Sequence, residues 1–233
     1  MALFYVPNLA SGTVLPEEES QHAVKVLRMQ VGDTITVVDG VGGFYTASIT
    51  NPHPKHCTFK ITETILEFGK RDYKLHIAIA PTKNVERLEW FIEKATEIGI
   101  DEITPILCQF SERKIIKEER LEKIIVSAAK QSLKAYFPTL NPLCTFDELM
   151  KKHKASQKYI AHCYENDKKL LQKEIQKASD VLILVGPEGD FSKDEVQKAT
   201  SLGFIPVSLG NSRLRTETAG VVACHTVAIL NQF

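Results

Sequence analysis

Two patterns of hydrophobic and polar residues follow one another along the chain and change near residue 70. Before that point, short runs of β-prone residues are separated by Gly, Asp, Asn and Pro, with one helical stretch at 18–27. Short strands placed so closely along a sequence are typical of a small barrel. The predicted strands are 3–6, 34–39, 44–50 and 58–66.

From residue 74 onward, buried-type strands alternate with helical patterns. One helix is predicted at 86–99, where Leu88, Phe91 and Ala95 fall on a single apolar stripe. This alternation predicts a mainly parallel α/β sheet with helices on both faces. We therefore predict a β-barrel domain at 1–70 and an α/β domain at 74–233, with a linker at 70–72. The strands predicted in the second domain are 75–80, 103–108, 159–163, 181–185 and 204–209.

The composition is that of a globular protein, with 43% hydrophobic residues, 25% charged residues and a formal net charge of zero. No apolar run reaches the roughly 18 residues that span a bilayer, and the first residues lack the pattern of a signal peptide. We expect a cytoplasmic protein without a membrane partner. The five cysteines lack the spacing of a metal site, so we expect no metal. Basic residues cluster at 111–134 and 151–177, which suits either an RNA-facing surface or solvated helices.

Candidate chemistry lies near the C-terminus, in loops that follow predicted strands, where open α/β sheets bind ligands. The strand at 181–185 runs into the turn GPEGDF, in which Gly186 and Gly189 allow close approach of the backbone to a ligand. Ser192 and Glu195 then form a capping-box pattern. The turn matches neither a Walker loop nor GxGxxG, and on its own it favours a plain strand-to-helix connection.

A second loop, SLGNSRLR at 208–215, leads into the sequence TETA and an apolar final helix. Thr216 is the predicted N-cap of this helix, and the helix dipole favours Glu217 near its N-terminus. Two glycine-containing loops so close together, followed by this helix start, favour a ligand site over two unrelated turns.

These two loops, GPEGDFSKDEV and SLGNSRLRTETAG, resemble the signature of the RsmE family, and the resemblance covers nearly the whole chain. Three further segments match the family at similar spacing, HAVKVLR with VGD at 22–33, KNVERLEWFIEKATEIG at 83–99 and AAKQS at 128–132. The chain departs from the family pattern at Asp190, where glycine is usual. It also departs at Ser212 and Arg213, which replace Arg-Ile, and at Leu133 and Lys134, which replace Gly-Arg.

The resemblance implies a SPOUT-like methyltransferase domain, a deep trefoil knot through which the chain forms a homodimer, and an N-terminal PUA-like barrel. It implies transfer of a methyl group from S-adenosylmethionine to N3 of a uridine in small-subunit (16S) ribosomal RNA. The substrate would be either free RNA or the assembled 30S subunit. The residues expected to bind the cofactor are Leu184, Val185, Gly186, Pro187, Glu188, Gly189, Leu209, Gly210, Asn211, Leu214, Arg215 and Thr218.

Methylation at N3 also requires loss of the N3 proton, which a base or a cation near the uracil would assist. Arg215 is predicted to stabilise the uracil oxygens or to bind the methionine carboxylate, unless it is a surface arginine paired with Glu217 or Glu188. Each of those two carboxylates is either a catalytic base or a structural partner. Eight residues are candidate RNA contacts, although a lysine on an exposed helix is more often only solvated: Lys25, Arg28, Lys83, Lys94, Arg113, Gln131, Ser132 and Lys134.

Two other functions are open at this point. The chain could be a catalytically inactive RNA-binding factor in ribosome assembly, against which the intact GPEG and LRTETA sequences argue. It could also be a nucleotide-dependent metabolic enzyme on a Rossmann-like sheet, but it lacks a dinucleotide or triphosphate fingerprint.

Overall fold

The computed structural model describes residues 2–7, 9, 12–152, 155–165 and 168–232. Its contacts divide the chain into two compact units, Met1–Lys70 with Val126–Phe137, and Arg71–Ile125 with Pro138–Phe233. The boundaries drawn from the sequence place Val126–Phe137 in the second domain, whereas the structure groups this segment with the first unit. Among the described helices, none is long and apolar enough to cross a membrane.

The first unit contains a four-stranded sheet in the order β1-β2-β3-β4. Its strands are β1 (Leu3–Tyr5), β2 (Thr34–Val38), β3 (Phe44–Asn51) and β4 (Thr58–Ile65). The β1–β2 pair is parallel, and the other two pairs are antiparallel. The predicted strands are thus confirmed to within a residue or two. The predicted helix at 18–27 forms as α1 (Glu17–Gln21), which continues as a π-helix over His22–Val26.

The segment Val126–Phe137 is held in the first unit by backbone hydrogen bonds and by packing. The Gly42 amide donates to the Ala135 carbonyl at 2.9 Å, and the Phe137 amide donates to the Gly40 carbonyl at 2.9 Å. Ala135 is buried beside Leu3 and Val38. These contacts join residues that are distant in sequence, and the periodicity of hydrophobic residues does not predict them.

The second unit contains an eight-stranded sheet in the order β10-β12-β9-β11-β5-β6-β7, with β8 paired to β6. All of its described strand pairs are parallel, which confirms the predicted sheet type. The strands are β5 (Leu75–Ile79), β6 (Glu102–Leu107), β7 (Thr139–Leu140), β8 (Cys144–Thr145), β9 (Gln157–Ala161), β10 (Lys169–Leu170), β11 (Val181–Val185) and β12 (Ile205–Ser208). The helices are α2 (Val85–Ile98), α3 (Glu118–Gln131, which ends in the first unit), α4 (Phe146–Lys152), α5 (Leu171–Glu174), α6 (Lys193–Ser201) and α7 (Thr216–Gln232).

The two faces of this sheet bury separate cores. Ile77 and Ile183 face one core with Phe91 of α2, whereas Ala78 and Leu184 face the other. Every residue of β11 is buried, which explains why VLILV is uniformly apolar instead of alternating.

Arg71, which falls in the predicted linker, is firmly held in the second unit. Its guanidinium lies 2.5 Å from the Asp101 carboxylate, donates to the Gly99 carbonyl and stacks on the Tyr73 ring at 4.7 Å. This residue therefore begins the ordered structure of the second unit.

Candidate active site

The two loops singled out in the sequence meet at the carboxyl ends of β9 and β11, around a pocket of about 280 Å³. One wall is the turn after β11, and the other is the segment that leads into α7. The lining residues are Ala161, Cys163, Val185, Gly186, Pro187, Glu188, Asp190, Arg213, Leu214, Arg215, Thr216 and Ala219. The location agrees with the rule that parallel sheets bind ligands at their carboxyl edge.

A buried hydrogen bond joins the two walls. The Thr216 hydroxyl donates to the Gly186 carbonyl at 3.0 Å. Because α7 begins at Thr216 itself, Arg215 occupies the capping position, and the predicted N-cap role of Thr216 is wrong. The hydroxyl connects the loops instead of closing the helix end.

Two sets of hydrogen bonds between side chains and the backbone stabilise the turn after β11. The predicted capping box is confirmed, since Ser192 Oγ accepts from the Glu195 amide at 3.2 Å and Glu195 accepts from the Ser192 amide at 2.8 Å. Asp190 has a φ of 70°, in the left-handed region that favours glycine. Its carboxylate accepts from the Phe191 amide at 2.8 Å and from the Cys163 amide at 2.7 Å. The aspartate thus takes a glycine conformation and ties the end of β9 to the turn.

The sequence suggested that the glycines of these loops let the backbone approach a ligand. The structure gives other reasons why these positions are glycine. A Cβ on Gly186 would lie 3.0 Å from the Phe191 ring, and a Cβ on Gly189 would lie 3.0 Å from Cβ of Phe110. Packing within the protein therefore requires both to be small. Gly210 has open space around it, but its φ of 137° is one that L side chains rarely adopt.

The pocket contains two guanidinium groups and two carboxylates. Neither Arg213 nor Arg215 forms a side-chain hydrogen bond or ion pair with any residue that the structure describes. Glu188 accepts from the Lys83 amide at 2.9 Å, and Glu217 lies 3.8 Å from Arg87 Nε. The alternative in which Arg215 pairs with either glutamate is therefore wrong, and both arginines can receive a ligand.

Glu217 lies outside the pocket lining. It is 7% exposed in the first turn of α7, and its carboxylate faces Arg87 of α2. Its Oε2 atom is buried without a hydrogen-bond partner among the described residues. The structure thus places this candidate base against a neighbouring helix.

Half of the residues predicted to bind a cofactor line the pocket, namely Val185, Gly186, Pro187, Glu188, Leu214 and Arg215. The others, Leu184, Gly189, Leu209, Gly210, Asn211 and Thr218, are not among the lining residues. Leu184 is fully buried within the sheet. Six lining residues were missed by the sequence reasoning: Ala161, Cys163, Asp190, Arg213, Thr216 and Ala219. Asp190 and Arg213 had a signal, as departures from a family pattern, whereas Ala161 and Cys163 had none.

Three predicted RNA contacts in the second unit are engaged by the protein itself. Lys94 pairs with Glu93 and Glu97 of its own helix at 2.7 Å and 3.0 Å, and Lys83 pairs with Glu112 at 2.9 Å. The Arg113 guanidinium donates to the carbonyls of Thr82 and Lys83, at 3.0 Å and 2.6 Å. The contacts of Lys83 and Arg113 brace the loop after β5, whereas those of Lys94 stay within α2.

The other predicted RNA contacts lie in the first unit. Lys25, Arg28 and Gln131 are exposed. The Ser132 hydroxyl donates to the Ala128 carbonyl at 2.7 Å, and the Lys134 amide donates to the Ala129 carbonyl at 2.9 Å. Ser132 therefore closes the end of α3, while the three exposed residues present their side chains to solvent.

A larger cavity, of about 620 Å³, lies at the amino ends of β5, β6 and β11. His76 Nε2 is 2.7 Å from Thr104 Oγ1, and the Asn141 amide donates to Thr104 at 2.7 Å and to Glu102 at 2.5 Å. Burial lowers the pKa of His76, which favours its neutral form. Because these polar groups satisfy one another, we assign the site to the smaller pocket.

Comparison with known protein families identifies both units. A model of an RNA methyltransferase domain matches residues 70–228, and a model of an RNA methyltransferase PUA domain matches residues 15–62. Ribosomal RNA small subunit methyltransferase E of Buchnera aphidicola subsp. Acyrthosiphon pisum is 31% identical, over 90% of this chain and 84% of that protein. The enzyme of the same name from Bacillus subtilis is 28% identical, over 91% of this chain and 87% of the relative.

Solved structures agree with these matches. A probable rRNA-methyltransferase from Porphyromonas gingivalis superposes with a TM-score of 0.94 and 43% identity, covering 100% of this chain and 99% of that one. Ribosomal RNA small subunit methyltransferase E from Neisseria gonorrhoeae, solved with bound S-adenosylmethionine, superposes with a TM-score of 0.83 and 29% identity. That superposition covers 99% of this chain and 98% of the neighbour.

Proposed function

The chain belongs to the family of RNA methyltransferases that includes the small-subunit ribosomal RNA methyltransferases E, and on this premise we propose that it methylates N3 of a uridine in small-subunit ribosomal RNA, with S-adenosylmethionine as methyl donor. One observation carries the proposal. The two family-like loops meet at the carboxyl edge of a parallel sheet and leave two arginines without a described partner in a pocket. An active enzyme, and not an inactive assembly factor, accounts for this arrangement.

The chemistry of the pocket lining fits S-adenosylmethionine. The cofactor has an aromatic adenine on a ribose, two cationic centres and one carboxylate. The pocket supplies apolar surface from Val185 and Leu214, carboxylates from Glu188 and Asp190, and guanidinium groups. When bound, the cofactor supplies an electrophilic methyl group on a sulfonium. We assign Arg213 to its carboxylate and the backbone of Gly186–Glu188 to its adenosyl part.

Arg215 stabilises the negative charge that develops on the uracil oxygens as the N3 proton leaves. A cation that the fold holds in position beside the base stabilises this charge as it develops. Arg215 is suited to this role because the protein leaves its guanidinium without a described partner.

Glu188 is the carboxylate best placed to accept the N3 proton. Both oxygens of Asp190 accept backbone N–H groups, and Glu217 is outside the pocket lining. Glu188 uses Oε1 for the Lys83 amide, and its Oε2 atom is not bonded to any residue in the described part of the chain. We assign the proton to Oε2.

The family resemblance extends the proposal to the partners. We propose that the chain is a knotted homodimer in the cytoplasm and that it acts on the assembled small subunit more efficiently than on free RNA. Exposed Lys25, Arg28 and Gln131 of the first unit would contact the RNA. Recognition of folded RNA relies on shape and phosphate geometry, which favours the assembled particle as substrate.

The test is mass spectrometry of nucleosides from the ribosomal RNA of cells that lack the gene. We expect one N3-methyluridine to disappear and to return with the parental gene, but not with Arg215→Ala. In vitro, purified protein is mixed with S-adenosylmethionine and either free 16S RNA or 30S subunits, which separates the two substrates. Calorimetry that finds no binding of S-adenosylmethionine would refute the proposal and favour the inactive assembly factor.

A further inference from the structure

An exposed aromatic side chain lies beside the pocket. Phe110, in the loop after β6, is 46% exposed. Its Cβ atom packs against Gly189 so closely that a Cβ added there would lie 3.0 Å away. The chain neighbours of Gly189, Glu188 and Asp190, both line the pocket. A flat apolar ring is thus held next to the pocket wall and remains open to solvent.

Hydrogen bonds on both sides of Phe110 fix its loop. The Gln109 amide donates to Glu195 of the capping box at 2.9 Å. The Cys108 amide donates to Ser111 Oγ at 3.0 Å, and the Ser111 amide donates back to the Cys108 carbonyl at 3.1 Å. The ring is therefore positioned before any ligand arrives, which reduces the entropy lost on binding.

The proposed reaction needs such a surface. N3 lies on the Watson–Crick edge of uracil, so a uridine that is methylated there must be unpaired and turned out of its helical stack. The extruded base loses its stacking partners. Aromatic side chains replace this stacking without regard to base identity, because every base has a π-face.

We propose that Phe110 is the surface on which the target uracil stacks as its N3 atom enters the pocket. This inference rests on the proposed function. In this arrangement Phe110 holds one face of the base, and Arg215 contacts its oxygens. Phe110 would thus raise the fraction of bound RNA in which N3 is correctly placed, without contributing to binding of the cofactor.

Substitutions at Phe110 separate stacking from apolar packing. We expect Phe110→Leu, which keeps apolar bulk but lacks a flat ring, to lower kcat/KM for RNA about tenfold. Phe110→Tyr and Phe110→Trp should stay within about twofold of the parent, because they keep the ring. The affinity for S-adenosylmethionine, measured by calorimetry, should be unchanged in all three. Leu202→Ala, which removes a 40% exposed apolar side chain elsewhere on the unit, is the matched control and should retain full activity.

Equal activity of the leucine and tyrosine variants would overturn the proposal, because packing alone would then suffice. So would a changed oligomeric state in light scattering, which would make Phe110 an interface residue, or a lost affinity for S-adenosylmethionine.

A fluorescent reporter keeps the two proposals distinguishable. Trp90 is the single tryptophan, so Trp90→Phe combined with Phe110→Trp leaves one tryptophan at the pocket edge. We expect a uridine-containing single-stranded RNA to quench its emission, and absence of quenching would contradict the stacking role. If the parental protein neither bound S-adenosylmethionine nor methylated RNA, the proposed function would fail, and this reporter would still test Phe110.

Discussion

The two edges of the parallel sheet carry cavities of opposite character. At the amino edge, the lining of a cavity of about 620 Å³ includes His76, Thr104, Asn141 and Glu102, whose polar groups bond to one another. At the carboxyl edge, a pocket of about 280 Å³ holds two guanidinium groups without a partner among the described residues. The smaller pocket is the one that the two family-like loops line.

If the pocket at the carboxyl edge is the active site, as we propose, then volume is a poor guide to function in this fold. A network of polar side chains that satisfy one another stabilises the protein and has little to offer a ligand. Charged groups that line a pocket and have no partner within the described protein are available to a ligand. The comparison therefore predicts separable effects of mutations at the two edges, on catalysis at one and on stability at the other.

The largest effect is expected for Arg215→Ala. Loss of the cation that stabilises the uracil anion should lower kcat/KM by about 100-fold or more, while the urea midpoint and the oligomeric state stay at parental values. Methylation assays and urea unfolding measure the two quantities. Arg215→Lys, which keeps the charge, should recover part of the activity, and near-normal turnover of the alanine variant would remove Arg215 from the mechanism.

A smaller, mixed effect is expected for Thr216→Val. The variant removes the hydroxyl that donates to the Gly186 carbonyl and leaves that buried acceptor unpaired, which should cost about 1–2 kcal/mol of stability. Since the bond joins the two walls of the pocket, the affinity for S-adenosylmethionine should fall as well. Calorimetry and urea unfolding test both effects, with Thr216→Ser as the control that keeps the hydroxyl. Unchanged affinity would mean that the walls hold their positions without this bond.

Asn141→Ala should destabilise the protein by about 1 kcal/mol, because it breaks the network of the amino edge. Activity at a temperature well below the unfolding transition should be unchanged. Thermal unfolding and initial rates check this prediction. If kcat/KM fell as it does for Arg215→Ala, the assignment of function to the carboxyl edge alone would be wrong.

The smallest effect concerns the pH dependence of stability. His162, between pocket residues Ala161 and Cys163, is buried, and neither ring nitrogen has a described hydrogen-bond partner. Burial, together with Lys168, lowers its pKa. The ordinary pKa of a histidine is 6.5, so as the pH falls below that value His162 is protonated in the unfolded chain before it is protonated in the folded protein. The folded state is therefore most stable, with respect to this group, above pH 6.5, and it loses stability below that pH.

His162→Phe should therefore flatten the loss of stability between pH 7.5 and about 5.5, as measured by urea midpoints. His76 at the amino edge also has a pKa lowered by burial, so part of the slope should remain. A slope equal to that of the parent would show that His162 does not titrate in this range.

The sequence predicted several features almost to the residue. The run VLILV, bounded by a charged residue and a glycine turn, is β11 (Val181–Val185), because a strand covered on both faces must be apolar throughout. The stripe of Leu88, Phe91 and Ala95 is buried in α2, since its spacing matches the helical repeat. The short strands β7, β8 and β10 escaped prediction because two residues are too few to show any period.

The candidate site was predicted in part, and its errors have physical causes. Ala161 and Cys163 were missed because β9 is hydrogen-bonded to β11 in the sheet but distant from it in sequence. Glu217 was assigned to the site, although consecutive helical residues point about 100° apart. In the structure, Thr216 and Ala219 face the pocket and Glu217 faces α2.

The sequence by itself thus predicted the local features: the strand and helix periods, the capping box at Ser192 and the two loops with their arginines. These follow from interactions within a few residues, which the order of amino acids specifies directly. The tertiary structure alone determines the order of the strands in the sheet and the direction in which each side chain of α7 points. It also determines which charged groups have no partner within the described protein. All three depend on contacts between residues far apart along the chain, for which hydrophobic periodicity carries no information.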